Sequence, residues 1–415
     1  AYDIVEGDFS FNILSEDDAT VVLAKAEPPS KTSEMIIPAT VYHNGKSYTV
    51  TKIGERAINS ISIYNFSIFI PNTIQEIEDY GISSCYHLYL IEFEKGETPT
   101  TIGRGVLNSC GDLEQAIIYR QFIYNENVTI KPFAGKKKLD SVFLGGSWHN
   151  ISEREFAGCP ELIYISLHSD IHSIGAYAFQ NCPKFSKFVD GGYYDQGYDY
   201  MERLSEIGEY AFSETAMSHF VFSENITHIP NRLFYKCSSL KNVYFPDSCK
   251  IEEIGVGAFM DCTELTRVVV SKNVTSIAYL AFMNCTSLES VELPTGLSSI
   301  ERRAFSSCTN LEAIELPETL QKIGEGCFYG CKNLNSLIID GNNPNYYSEN
   351  GIYIDKELIL TLDEIKVKGN RNINSSIINL LNEIEELAHY YNMERNMFIS
   401  DSVELAIKEK EERVF

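Results

Sequence analysis

Four variants of one phrase fill residues 251–340: IEEIGVGAFMDCTELTRVVV (251–270), VTSIAYLAFMNCTSLESVELP (274–294), LSSIERRAFSSCTNLEAIELP (297–317) and LQKIGEGCFYGCKNLNSLIID (320–340). Ile254, Ile277, Ile300 and Ile323 follow one another at 23 residues, and Phe259, Phe282, Phe305 and Phe328 keep the same interval. Constant spacing without drift marks a solenoid. One unit cannot cover its own Ile, Phe, Cys and Leu, so neighbouring coils must stack to bury them.

The pattern I-G-x-x-A-F-x-x-C-x-x-L-x-x-I-x-L-P at about 23 residues resembles the BspA-type leucine-rich repeats of surface proteins from host-associated bacteria. The resemblance implies a leucine-rich repeat solenoid, mainly β, with a parallel sheet on one face and turns around the G-x-x-A-F part. It also implies an extracellular or cell-surface setting. Function is left to the variable outer surface, because a solenoid is a scaffold.

Going outward from residue 251, the leading anchors are Ile53, Ile77, Ile102, Ile130, Ile151, Ile174, Ile207 and Ile229, at intervals of 24, 25, 28, 21, 23, 33 and 22 residues. Counting to Ile323 gives 12 coils over 51–341. At a strand spacing of about 4.8 Å such an array is roughly 55–60 Å long.

Residues 1–50 lack the repeat and form an N-terminal β cap. Phe9, Phe11 and Ile13 share a face, a polar SEDDA turn follows, and Asn44-Gly45 separates two β-rich runs. Asn-Gly supplies both positive φ angles of a type I′ hairpin turn. At the other end, 342–363 reads as a closing hairpin around Asp355-Lys356. In the tail, 364–415, Ile377, Leu380, Leu381, Ile384, Leu387 and Ala388 fall at helical spacing. That tail is expected either to seal the last coil or to pair with another chain.

Nine of the eleven cysteines, Cys85, Cys110, Cys159, Cys182, Cys237, Cys262, Cys285, Cys308 and Cys331, occupy one slot of successive coils, three residues after the aromatic or aliphatic anchor. A structural file of buried thiols, each a small apolar group with weak hydrogen-bonding capacity, is expected there. Disulfides and metal are the alternatives, but no paired C-x-x-C framework supports a zinc site. Cys327 stands in for the Ala of the A-F pair and belongs to the core; Cys249 lies off the file.

The chain carries 34 basic and 58 acidic residues, a formal charge of −24, without a basic run to offset it. Nucleic acid and anionic membranes are therefore excluded as partners. No apolar run is long enough for membrane insertion, and the start at Ala1 without Met fits a trimmed or mature form.

Two features are candidates for binding. The 33-residue interval holds VDGGYYDQGYDYMERLSE (189–206), with Tyr193, Tyr194, Tyr198 and Tyr200 among glycines and aspartates. Tyrosines on a Gly-rich loop are the composition of binding loops, although a tolerated surface insertion has the same look. Second, alternation along L-x-x-I-x-L sends Glu92, Ile117, Phe143, Ser166, Val189, Val221, Tyr244, Val269, Glu292, Glu315 and Ile338 outward. A row apolar at its middle suits a protein ligand, and equally it expresses the strand preference of β-branched residues.

Catalytic signatures are missing: the chain has no GxGxxG, P-loop, GxSxG or HExxH. His168 and His172 sit in a strand-to-turn region, where a spacing of four does not align two metal ligands. The Asn-x-Ser/Thr triplets at Asn65, Asn127, Asn150, Asn225, Asn273, Asn284 and Asn374 fit turn chemistry better than glycosylation. The expectation is a non-catalytic, secreted or cell-surface adhesion scaffold without cofactor, binding a protein or host extracellular-matrix ligand through Phe143, Val221, Tyr244 and Val269 or through the Tyr-rich insertion. The alternative is a structural or glycan-binding surface module.

Overall fold

A computed structural model describes residues 2–355 apart from 30–31, 147, 168–170, 191–202 and 350–351. His168, Tyr193, Tyr194, Tyr198, Tyr200 and the expected helical tail lie outside the described residues. The chain divides into two compact units, Ala1–Asn343 and Pro344–Phe415.

In the first unit every coil contributes one strand to a parallel sheet at its L-x-x-I-x-L part. Seven strands from Glu34–Ile36 to Lys187–Asp190 form one sheet, and six from His219–Val221 to Ser336–Ile339 form another, with the 33-residue interval between them. A further ladder, which the repeat pattern did not announce, runs along the Ile anchors: short strands such as Ser276–Ile277, Ser299–Ile300 and Lys322–Ile323 pair in parallel. Twelve coils result, and no helix forms among the described residues.

One anchor is misplaced by sequence reasoning. Ile130 is 72% exposed, and Tyr124 pairs with Ile102 in its stead. The β-rich run Phe122–Tyr124 takes the strand, and the chain then turns, with the Val128 amide donating to the Asn125 carbonyl. Ile130 is left beyond that turn, facing water.

In the cap Phe9–Ser15 pairs antiparallel with Thr20–Ala26, and Thr40–His43 with Lys46–Ile53, while Thr20–Ala26 and Lys46–Ile53 pair in parallel. Asn44 and Gly45 both hold positive φ, 50° and 83°, as the hairpin required. Lys46–Ile53 also carries the first anchor and pairs with Glu76–Ile77, so the cap hydrogen-bonds directly into the anchor ladder. In the second unit Tyr346–Glu349 pairs antiparallel with Ile352–Asp355. Asp355 is therefore a strand end, paired with Tyr346, and not the turn of the hairpin expected around Asp355-Lys356.

Turns, not helix, fill the G-x-x-A-F part for a specific reason. The third residue after the anchor is left-handed in coil after coil, as at Arg154, Tyr177, Tyr210, Arg232, Leu280 and Arg303, with φ of 52–60°. The residue preceding the Cys slot is left-handed too: Ser84, Asn181, Lys236, Asp261, Asn284 and Ser307. Each such non-glycine residue carries a conformational cost of about 1–2 kcal/mol, offset by the bond it makes. The amides of Arg232, Phe234 and Lys236 donate to the carbonyls of Val256, Ala258 and Met260 in the next coil, and Gly257, Phe259 and Asp261 repeat this with Tyr279, Ala281 and Met283.

Inside, the Phe anchors stack face to face. From Phe133 through Phe156, Phe179, Phe212, Phe234, Phe259, Phe282 and Phe305 to Phe328, neighbouring centroids lie 5.1–5.8 Å apart and interplanar angles stay within 23°. Coil spacing imposes this parallel geometry.

The cysteine slot has a more exact role than apolar filling. All eleven thiols are free. Cys159, Cys182, Cys237, Cys262, Cys285, Cys308 and Cys331 each donate Sγ–H to the carbonyl of the preceding coil's Phe, at 2.9–3.2 Å. The carbonyls of Phe234, Phe259, Phe282 and Phe305 also accept the amide of their own coil's Cys, and that of Phe133 the Lys136 amide, so both lone pairs are used there. One exception follows the same rule and one does not. Lys136 fills the slot between Cys110 and Cys159 and bonds the preceding coil's Leu107 carbonyl at 2.6 Å, whereas Thr215, in the slot before Cys237, turns its hydroxyl to its own coil's Phe212 carbonyl at 2.8 Å.

A donor must stay protonated, and burial pushes the Cys237 thiol up to about 11 and that of Cys262 well above its ordinary range. Cys262→Val keeps volume and removes the donor, so it should destabilise by about 1–3 kcal/mol, while Cys262→Thr, which keeps a hydroxyl donor in the slot, should cost less. Urea denaturation reads the order; a Val variant as stable as the parent would return the slot to simple packing.

Another exception lies in the A-F pair. Where Ala178, Ala211, Ala258, Ala281 and Ala304 sit fully buried, one coil has Glu155 instead, also fully buried. Its carboxylate accepts the Tyr124 hydroxyl, and the Lys131 ammonium lies 3.6 Å from the centre of the Tyr124 ring. Tyr124 for Ile and Glu155 for Ala are thus complementary departures in adjacent coils.

Candidate functional site

Outward positions of the first sheet form two files. The second outward residues pair in the register Glu92, Ile117, Phe143, Ser166, Val189, so the row read from alternation is continuous there. Beside it runs Gln115, Ser141, Tyr164, Lys187, a file that considering only one outward residue per coil passed over. It was available from the same alternation.

All of these residues except Glu92 line a depression of about 690 Å³, together with Ala116 and Val142. Its relief comes from side-chain size. Ser141 and Ser166 are low points, and Ser166, though outward, is only 9% exposed between the larger Phe143 and Val189. Ser141 donates to Asp140 at 2.6 Å, which orients its hydroxyl.

Phe143 is held from one side by Tyr119, with ring centroids 5.1 Å apart and tilted by 57°. Gly145 makes room for that pair: a Cβ there would lie 2.7 Å from both rings. Gly146 has φ +63°, and a Cβ on it would lie 2.4 Å from the Tyr119 carbonyl oxygen. Gly145-Gly146 therefore leaves room for the Tyr119–Phe143 pair.

The segment carrying Tyr119 is fastened by its neighbour. Arg120 is fully buried and donates to the carbonyls of Ile74 at 2.7 Å, Asn72 at 3.2 Å and Pro71 at 3.2 Å. Glu94 accepts the Asn72 amide at 2.9 Å, so the 71–74 turn is gripped by both side chains. Burial lowers the Arg120 pKa to about 10, and the guanidinium remains charged at neutral pH.

The other candidates separate. Val221 pairs with Tyr244, and Val269 with Glu292, all in the second sheet. Tyr244 and Val269 are 53% and 47% exposed. Strand pairing does not join Val189 to Val221, so the expected single row is two. Beyond Val269 the face is charged: Arg267 pairs with Glu292, and Glu315 is exposed.

Chemically the depression offers apolar walls, neutral hydroxyls and an amide, and one ammonium. Among the described residues no cluster of three His, Cys, Asp or Glu could hold a metal ion. His172, one of the two histidines singled out in sequence, stacks on His149 of the neighbouring coil at 4.9 Å.

Residues 45–131, 123–189, 198–286 and 252–353 match the BspA type leucine rich repeat region, in six copies. The chain belongs to this family. The BspA-type repeats cover nearly all the coils described above. No curated protein matches the chain.

Among solved structures, a leucine-rich repeat protein from Bacteroides ovatus is similar at 23% identity and a TM-score of 0.52, over 81% of this chain and 94% of that one. A leucine rich cell surface protein from Faecalibacterium prausnitzii aligns over 81% of this chain and 94% of its own at 22% identity and a TM-score of 0.35. The pneumococcal vaccine antigen PcpA aligns over 82% of each chain at 18% identity and 0.40. The first of these likenesses supports the repeat fold; function has to be argued from the face.

Proposed function

We propose that this BspA-type repeat protein is a non-catalytic scaffold, displayed on the cell surface or secreted, that binds a protein ligand on the outward face of its first sheet. The observation that carries the reading is the depression around Phe143. An aromatic ring propped by Tyr119, with small serines beside it and hydrogen-bonding groups along its edge, is the apolar centre and polar rim that protein recognition uses. A catalytic role lacks support, since the lining has no nucleophile beside a base and no acid–base pair.

Free thiols are compatible with an oxidising exterior, because burial shields ten of the eleven. No described helix is long and apolar enough to cross a membrane. The Tyr-rich insertion leaves the first sheet after Asp190, so Tyr193, Tyr194, Tyr198 and Tyr200 are proposed as a second contact element.

The test is capture from a panel of purified extracellular-matrix proteins. Phe143→Ala should weaken binding of the captured partner by at least about tenfold, the scale of an aromatic hot spot, with unchanged circular dichroism. Tyr244→Ala reports separately on the second sheet. Loss with Tyr244→Ala alone would move the site there, and loss with neither would remove the sheet face from the account.

A further inference from the structure

The lining of the depression holds one formal charge, the exposed Lys187, in a chain of net charge −24. No carboxylate pairs with it among the described residues, whereas Lys184 three residues earlier is paired with Glu161, and Arg267 on the second sheet with Glu292. Resting on the protein-binding reading above, we propose that this face takes an extended peptide segment whose large apolar side chain seats against Phe143 and whose carboxylate meets Lys187.

Charge complementarity selects the ligand's sign and also its extent. An acid-rich protein repels polyanions at range, so the favoured partner carries a single well-placed acid, not a run. The second sheet, with Glu292 and Glu315 exposed, would turn the same acid away.

Register sets the spacing. One strand, Tyr164–Leu167, separates Phe143 from the strand of Lys187, and Lys187 lies two residues before Val189, the position level with Phe143. Two strand spacings of about 4.8 Å and two residues along a strand place the two groups about 12 Å apart. An extended chain advances roughly 3.3–3.6 Å per residue. The acid therefore falls three or four residues from the apolar anchor. Between them, Tyr164 and Ser166 offer hydroxyls to the peptide backbone.

An array of synthetic 12-residue peptides, randomised around a fixed Phe with Glu, Gln or Lys three or four places on, is probed with the labelled full chain. Glu peptides should be enriched at least about tenfold over their Gln counterparts. Lys187→Met should abolish that ratio, and Lys187→Glu should transfer the preference to Lys peptides. Equal retention of Glu and Gln peptides, with binding still lost in Phe143→Ala, would overturn the carboxylate contact and leave the docking reading standing. Retention on sialylated or uronate glycans in place of any peptide, lost in Lys187→Met, would overturn the peptide as occupant. Failure of every peptide would overturn the proposal, and the matrix-protein panel would then decide separately whether the face binds protein at all.

Discussion

Arg120→Met lowers the stability of the chain by about 3 kcal/mol. Two effects oppose each other. Removing a buried cation recovers the desolvation that its lowered pKa of about 10 records. Against that, the carbonyls of Pro71, Asn72 and Ile74 lose a shared donor. Hydrogen bonds from a charged donor are worth about 1.5–3 kcal/mol each, and a buried acceptor left without a partner costs about 1–3 kcal/mol.

Pro71 keeps the Ile74 amide, but the bonds lost at Asn72 and Ile74, with the third at Pro71, outweigh the recovery, since Met matches the volume but donates nothing. Arg120→Lys should fall between, because one ammonium cannot span three carbonyls in the fork geometry of a guanidinium. The urea midpoint orders the three proteins, and hydrogen exchange should open first at residues 71–74 and around Tyr119. A Met variant equal to the parent would mean that the burial costs as much as the bonds return.

Glu155→Gln stabilises the protein at pH 8 and does little at pH 4.5. Burial raises the Glu155 carboxyl to about 7 from 4.5, with the Tyr124 bond and Lys131 pulling back only in part. The folded state therefore holds a proton that the unfolded state releases between about pH 4.5 and 7. Stability must fall as pH rises through that window, since there the native state binds more protons. A shift of this size corresponds to about 3 kcal/mol above pH 7. Gln keeps an acceptor for the Tyr124 hydroxyl and has no charge to desolvate. Parallel urea curves at pH 5 and pH 8 check the sign: the gap between variant and parent has to widen with pH, and a constant gap would sink the argument.

Much of this molecule was legible because burial repeats. Ile, Phe, Cys and Leu recur at fixed intervals, and the outward row follows from strand alternation alone, so Ile117, Phe143 and Ser166 pair in the register that alternation predicts. Less legible was whatever depends on hydrogen bonds. Nothing in the letters Arg232 or Leu280 announces a left-handed residue, since the compensation is an amide aimed at the next coil. Cysteine looked like packing because its thiol partner is a backbone carbonyl, which has no letter. Lys136 and Thr215 were the available clue, polar residues in a slot otherwise reserved for Cys. Ile130 misled because an apolar side chain at a plausible interval is no evidence of which run takes the strand, and nothing in the sequence around Arg120 shows that its side chain reaches back to the 71–74 turn.

The turn ladder has a direction. From Arg232 to Asp261 its amides point toward the C-terminal neighbour, so this ladder is chemically unlike at its two ends: the leading edge offers acceptors and the trailing edge offers donors. A lid that suits one end is the wrong complement for the other. Concatenation of such chains is likewise possible in one sense only, head behind tail, and any lengthening or shortening must proceed by whole turns if that polarity is to be kept.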